Sequence, residues 1–314
     1  MRRRSMAVLA AVPLMFAAAC GSGGETTTVG TVGGSAPALK VTGAANAKPS
    51  VAFPPKVVET SSYQVVTPGT LGAPAKAGDS VVVNFTVFTW DGKDNKLAAS
   101  TYDEGGPQLI TLNEQVPEIL RKGFAETKGG GRFLSVVAKD ALPKEQQAQA
   151  PAGQSQVFVV DVVGVPEGKA AHGAAADAGL KGVKVENPGG DAAPKLTTKT
   201  KEKAPKELVA KTVIKGTGPE VKSGQSILVQ YAGKIWGSDL EFDSSWSRGG
   251  EPIMFQIGTG KVIKGWDQGL VGVPVGSRVL LSVPPDLGYG KEGSGEKIKG
   301  TDTLVFLVDV VAAY

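Results

Sequence analysis

The sequence predicts an α+β fold in which two similar domains each contain an antiparallel β-sheet and one short helix. The 43 glycines and 20 prolines among 314 residues are too many for a helical bundle and are typical of turn-rich β structure. An internal similarity predicts the duplication, because Lys76–Phe85 matches Lys222–Tyr231 and Val157–Val163 matches Val305–Val311. A two-copy repeat of this length indicates duplicated domains rather than a solenoid.

The individual elements are clearest in the second copy. Short β-branched or alternating runs, mostly bounded by glycine or proline, predict strands at Leu208–Lys215, Ser226–Lys234, Ile253–Ile257, Arg278–Val283 and Thr303–Val311. Apolar residues at spacings of three and four predict one short helix over Ile263–Leu270. Strands with a single short helix favour the α+β class.

Composition excludes several classes of function. A single Cys and a single His rule out most metal sites, Cys–His nucleophile pairs and disulfide scaffolds. The net charge of +4 comes without a clustered basic stripe, which argues against nucleic-acid binding. His172 has no Cys or carboxylate cluster around it, and we interpret it as a solvated linker histidine. We expect neither a metal nor a cofactor.

The N-terminus has the pattern of an export signal, which we assign to residues 1–19. Arg2–Arg4 precede an apolar run that is too short for a comfortable transmembrane helix. The small residues before Cys20 resemble the lipobox of bacterial lipoproteins, in which the cysteine is acylated, although Ala17 stands where leucine is usual. An ordinary signal peptide with an incidental cysteine is the alternative. The resemblance implies a lipid anchor on the extracytoplasmic face of the cell membrane.

Composition also divides the remainder of the chain. Residues 20–55 and 166–205 are rich in small and polar residues, so we expect a flexible tether after Cys20 and a polar linker between the copies. The two domains are then placed at 56–165 and 206–314.

A series of motifs follows along the second copy: Val229–Gly233, Glu241–Ser245, Phe255–Gly258, Val262–Leu270, Val275–Arg278, Pro284–Gly290 and Thr303–Phe306. In this order and spacing they resemble the FKBP-type peptidyl-prolyl cis-trans isomerases over about 206–314. The resemblance implies two FKBP-like domains, each a curved antiparallel sheet wrapped on one short α-helix. It also implies X-Pro isomerisation and binding of tacrolimus-type macrolides.

The resemblance assigns roles residue by residue. Trp266 forms the floor of the pocket, and Tyr289 donates its hydroxyl to a substrate carbonyl. Asp243 polarises the rim, with a hydrogen bond to Tyr231, and the N–H of Ile263 binds a second carbonyl. The walls comprise Tyr231, Phe242, Phe255, Val262, Ile263, Tyr289 and Phe306. Two positions depart from the family: Ile253 is aliphatic where an aromatic is common, and Ser294 lies opposite the loop tip.

The first copy is expected to keep the fold and lose the site. Phe85 and Phe158 correspond to Tyr231 and Phe306. The remaining correspondences are unfavourable for catalysis: Leu120 for Trp266, Pro117 for Ile263, and Ala98 and Ala99 for Phe242 and Asp243. No Gly-Tyr-Gly element occurs in the segment Asp140–Gln147. We therefore expect a scaffold or client-binding role for this domain.

The sequence thus predicts an anchored prolyl isomerase that assists folding of exported polypeptides with X-Pro bonds. The alternative is a non-catalytic module of the cell envelope that binds Pro-containing segments or acts as a chaperone. The combined presence of Asp243, Tyr289 and Trp266 favours the enzyme.

Overall fold

The computed structural model describes residues 39–55, 60–142, 147, 153–176 and 179–314. The chain divides into two compact units, Met1–Val165 (unit 1) and Pro166–Tyr314 (unit 2). The predicted signal peptide and Cys20 lie outside the described residues. Within the described part, no helix is both long and apolar enough to cross a membrane.

Unit 1 is built on an antiparallel sheet with strand order β3-β7-β8-β4-β5, and β6 also pairs with β4. Its elements are β1 (Lys40–Thr42), β2 (Ser50–Ala52), β3 (Ser62–Thr67), β4 (Ser80–Trp90), β5 (Asn95–Ser100), α1 (Thr101–Glu104), β6 (Gln108–Thr111), α2 (Glu118–Glu126), β7 (Gly131–Val137), a 3₁₀ turn (Lys139–Ala141) and β8 (Ser155–Gly164). Helix α2 packs closely on the sheet, because a Cβ at Gly123 would lie 2.5 Å from the ring of Phe133.

Unit 2 pairs its strands in the order β14-β13-β17-β16-β12-β9, and β15 also pairs with β13. Its elements are β9 (Ala174–Ala175), β10 (Lys184–Glu186), β11 (Lys195–Thr197), β12 (Val209–Lys215), β13 (Ser226–Ile235), β14 (Glu241–Ser244), β15 (Ile253–Gln256), α3 (Lys264–Leu270), β16 (Arg278–Val283), 3₁₀ turns (Pro285–Leu287 and Gly290–Glu292) and β17 (Leu304–Ala313). Trp266 and Leu270 of α3 are buried in the core of this unit.

The strands and the helix predicted for the second copy are present, with ends that shift by a residue or two. Strand β14 was not among them, because its four residues are too few to show a clear alternation. Its pairing with β13 matters for function, since it aligns Gly233 with Asp243.

The predicted tether is wrong for residues 39–55. Strands β1 and β2 form an antiparallel hairpin. Leu39 is buried with Trp90 and Val159 in a cluster against which Val51 and Phe53 also pack. Alternating apolar residues give this small segment one apolar face, and the sheet of unit 1 offers a surface that buries it.

The predicted linker at 166–205 is also wrong, because much of it is folded into unit 2. Strands β10 and β11 form a second hairpin. Leu196 is buried against Leu280, Val305 and Leu307. Each hairpin is too short to be stable alone, so its order depends on the sheet beneath it. His172 is exposed, as the sequence predicts.

A buried ion pair ties each hairpin loop to its sheet. In unit 2, Arg278 donates from Nε and Nη2 to the Asp309 carboxylate at 2.6 and 2.7 Å, and from Nη1 to Asn187 Oδ1 at 2.8 Å. In unit 1, Arg132 pairs in the same way with Asp161 and donates to the carbonyl oxygen of Gly43 at 2.9 Å. Such pairs fix geometry because a buried charge without its partner is very unfavourable.

Replacing Asp309 with alanine is predicted to destabilise unit 2 by about 3–5 kcal/mol, because the guanidinium of Arg278 would remain buried and unpaired. Denaturant titration followed by amide resonances assigned to each unit measures this effect. The double variant Arg278→Met/Asp309→Leu removes both charges and should recover most of the stability. An unchanged midpoint for unit 2 in Asp309→Ala would contradict the prediction.

Candidate active site

A cluster of aromatic rings lies between α3 and the sheet of unit 2 with Trp266 at its centre, and its residues are those that the sequence analysis assigns to the pocket. The Trp266 ring lies 5.4 Å from Tyr231, 5.2 Å from Phe255 and 5.3 Å from Phe306, all in edge contacts. Phe242 in turn lies 5.4 Å from Phe306, again edge-on. These are favourable separations and orientations for aromatic pairs, so each ring restricts its neighbours.

Strand register brings these rings together. Tyr231 on β13 is paired with Val308 on β17, and Gly233 is paired with Phe306. A Cβ at Gly233 would lie 2.6 Å from the Phe242 ring and 3.1 Å from the Phe306 ring. Glycine is therefore required at this position for the two rings to meet above the strand.

The remaining predicted wall residues lie in the same core cluster and are partly buried. They are Ile253 and Phe255 from β15, Val262 and Ile263 immediately before α3, and Tyr289 between the two 3₁₀ turns. Ser294, the other departure from the family, forms an isolated bridge with Ile298 in the loop that also contains Tyr289. The structure thus brings together every pocket residue that the sequence singled out.

Tyr231, Asp243 and Arg248 form a hydrogen-bonded group that we call the polar rim, and sequence reasoning missed Arg248. Tyr231 donates its hydroxyl to Asp243 Oδ2 at 2.5 Å. Arg248 donates from Nη1 to Asp243 Oδ1 and from Nη2 to the Tyr231 hydroxyl oxygen at 2.9 Å. Its guanidinium also lies 5.7 Å from the centre of the Tyr231 ring. The sequence offered only a basic residue shortly after Asp243, and its role depends on the turn between them.

The surroundings keep both tyrosine hydroxyls protonated. Burial raises the pKa of Tyr231, and the hydrogen bond to Asp243 raises it further, against an opposing contribution from Arg248. Burial and then the charge of Asp243 raise the pKa of Tyr289. Burial alone lowers the pKa of Arg248, but its bonds to Asp243 and Tyr231 outweigh this and raise it. At neutral pH the site therefore holds the protonated hydroxyls of Tyr231 and Tyr289 beside the ion pair of Asp243 and Arg248.

A buried hydrogen-bond network supports the strand that holds Tyr231. The Tyr231 N–H donates to Ser245 Oγ at 2.8 Å, and this hydroxyl donates to Gln230 Oε1. Unit 1 has the same arrangement: the Phe85 N–H donates to Thr101 Oγ1 at 3.0 Å, and Thr101 donates to the Asn84 side chain at 2.9 Å. Because unit 1 lacks the rim residues, this network belongs to the architecture of the fold rather than to the chemistry.

The glycine loop before α3 is also held internally. The N–H groups of Gly258 and Gly260 donate to the two oxygens of Asp267, at 2.6 and 2.7 Å. These amides are already engaged by a carboxylate of the same chain. The loop orients α3, and with it Trp266, toward the pocket.

The corresponding positions of unit 1 lack the polar rim. Strand pairing aligns Val87 with Ala99, where unit 2 aligns Gly233 with Asp243. Leu120 is buried in the position predicted to match Trp266, and Pro117 precedes α2. Of the segment Asp140–Gln147 that has no Gly-Tyr-Gly element, residues 143–146 lie outside the described structure.

Comparisons with known proteins find related sequences and structures. The profile of the family described as FKBP-type peptidyl-prolyl cis-trans isomerase matches residues 218–311, which lie in unit 2. An FK506-binding protein of Streptomyces anulatus is 45% identical over 109 residues, which cover 34% of this chain and 87% of the relative. A probable FK506-binding protein of Corynebacterium glutamicum is 41% identical over 110 residues, covering 35% and 90%. The crystal structure of AtFKBP13 matches at 36% identity over 35% of this chain and 96% of that chain, with a TM-score of 0.33.

The family profile and the two related sequences place the chain in a class of enzymes that act on X-Pro peptide bonds. The chain belongs to the FKBP-type peptidyl-prolyl cis-trans isomerase family.

Proposed function

We propose that the aromatic pocket of unit 2 is the site of X-Pro isomerisation and that it acts by binding the twisted amide. The observation that carries this proposal is the combination in one place of an apolar floor at Trp266 with the compensated rim of Tyr231, Asp243 and Arg248. A purely apolar cavity would bind a prolyl ring and favour the less dipolar twisted amide, but it would offer no hydrogen bond to the rotating carbonyl.

The chemistry needs no nucleophile. Rotation about an X-Pro bond opposes amide resonance, with a barrier of about 18–20 kcal/mol. The twisted amide is less dipolar than the planar amide, so an apolar pocket favours the twisted form. Each 1.36 kcal/mol of preferential binding of that form accelerates rotation about tenfold.

Tyr289 and Asp243 supply the polar contribution. The Tyr289 hydroxyl, kept protonated by burial and by the nearby Asp243 charge, is proposed to donate to a substrate carbonyl. Asp243 is proposed to orient the rim and polarise the site, while Arg248 compensates its charge so that the carboxylate remains near the apolar pocket. The N–H of Ile263, just before α3, is proposed as donor to a second carbonyl.

A non-catalytic module that holds Pro-containing segments is the second candidate. Unit 1 suits this role better than unit 2, because it lacks the rim residues. We propose that unit 1 is a scaffold or client-binding domain without isomerase activity.

We also propose that the protein is exported and anchored by a lipid on Cys20, and that its clients are exported polypeptides that are unfolded or still folding. The support is the basic start, apolar run and small residues before Cys20. By similarity to relatives named FK506-binding proteins, the pocket is proposed to accept a tacrolimus-type macrolide.

The double variant Asp243→Ala/Tyr289→Phe of the full chain is predicted to lose at least about tenfold in kcat/KM, because it removes one hydrogen-bond donor to the substrate and the carboxylate that polarises the rim. Protease-free exchange measurements on an X-Pro peptide give this value. Asp286→Ala is the matched control, since Asp286 is exposed on a neighbouring 3₁₀ turn. If the wild-type protein binds the X-Pro peptide but does not accelerate its isomerisation, unit 2 is a binding module rather than an enzyme.

Cys20→Ser is predicted to abolish incorporation of a labelled fatty acid during expression in a bacterium that makes lipoproteins, because acylation requires the thiol. The Cys20→Ser protein should also be lost from the membrane fraction. Unchanged labelling, or a wild-type chain that takes up no label, would reject the anchor and favour the ordinary signal peptide.

A further inference from the structure

Lys297 lies beside β14, the strand that carries Phe242 and Asp243, and neither the sequence motifs nor the proposed mechanism uses it. Among the described residues, strand β14 ends the sheet of unit 2 and pairs only with β13, so the carbonyls along its outer side have no strand partner there. Lys297 belongs to the loop that follows Tyr289, and its Nζ donates to the carbonyl oxygens of Glu241 and Phe242 at 3.3 and 3.4 Å.

These two carbonyls belong to the strand that forms one side of the pocket. The Phe242 ring packs on Phe306, and the next residue, Asp243, belongs to the polar rim. The neighbouring Ile298 is buried in the same core cluster as Trp266, which fixes the base of the Lys297 side chain. The ammonium group is therefore held beside the segment of β14 that carries Phe242 and Asp243.

The charge of Lys297 is not compensated by an ion pair. No carboxylate in the described part of the chain pairs with its Nζ, whereas Asp243 is paired with Arg248. The adjacent Glu241 carboxylate accepts a hydrogen bond from Ser247 at 2.6 Å, and Glu296 is exposed. An ammonium has three donors, and the two long carbonyl contacts leave it able to bind a further acceptor.

We propose that Lys297 is a specificity-determining residue that favours polypeptide segments with a carboxylate side chain directly before or after the proline. This inference rests on the aromatic pocket being the isomerase site. A substrate aspartate or glutamate bound beside β14 would meet the Lys297 ammonium, which has no acidic partner among the described residues. The expected preference is about two- to fivefold in kcat/KM at low ionic strength, which is the range of an exposed ion pair.

Lys297 also connects the loop containing Tyr289 to β14, so a purely positional role must be separated from a role in recognition. A positional role would affect acidic and neutral substrates equally. A recognition role changes the ratio between them, and this ratio is weakened by salt because the charges are exposed.

The experiment uses the full chain and peptide pairs that differ only in Glu or Gln, placed directly before or directly after the proline. Turnover is measured by protease-free exchange, and affinity by shifts of pocket amide resonances. The variants are Lys297→Met, Lys297→Arg and the matched control Lys299→Met, which removes an exposed lysine from the same loop.

The expected result is a Glu-over-Gln ratio of about two to five in the wild type, which falls to about one in Lys297→Met and with added salt. Lys297→Arg and Lys299→Met should retain the ratio. An equal loss on both peptides, or a ratio near one in the wild type at both positions, overturns the inference. A Glu preference seen in affinity without any turnover supports the role of Lys297 and rejects the proposed catalytic function.

Discussion

The close approach of helix α3 to the sheet of unit 2 is the constraint on which the site depends. A Cβ at Gly265 would lie 2.5 Å from Val283, and one at Gly269 would lie 2.8 Å from Leu281, so both glycines allow the helix to reach the strands. This close approach of α3 to the sheet brings Trp266 into edge contact with Tyr231 on β13, Phe255 on β15 and Phe306 on β17. The pocket is therefore a consequence of helix–sheet packing, and the rim residues are additions to it.

The two units show which interactions maintain the architecture and which belong to the site. Both keep a hairpin packed on the sheet, a buried arginine–aspartate pair and a hydroxyl–amide network at the start of the pocket strand. The positions of Phe242 and Asp243 in unit 2 are occupied by Ala98 and Ala99 in unit 1. The sheet therefore forms whether or not the residues of the polar rim are present.

The sequence predicted the long strands, because β-branched runs bounded by glycine or proline are local signals. The pocket residues were assigned from the resemblance of seven motifs, in their order and spacing, to the FKBP-type family. The hairpins β1–β2 and β10–β11 could not be predicted, because their few apolar residues gain stability only from the sheet beneath them. Arg248 was missed for a similar reason, since its partners Asp243 and Tyr231 are brought to it by the turn and by strand pairing.

The most direct test of this account transfers the unit 1 residues into unit 2. The variant Phe242→Ala/Asp243→Ala of the full chain is compared with the wild type by protease-free exchange on an X-Pro peptide, with amide spectra to verify that both units are folded. The account predicts turnover at the uncatalysed rate, because unit 1 is proposed to be inactive and unit 2 would have lost part of its wall and its rim. Turnover close to that of the wild type would contradict it and would place the activity outside the aromatic pocket.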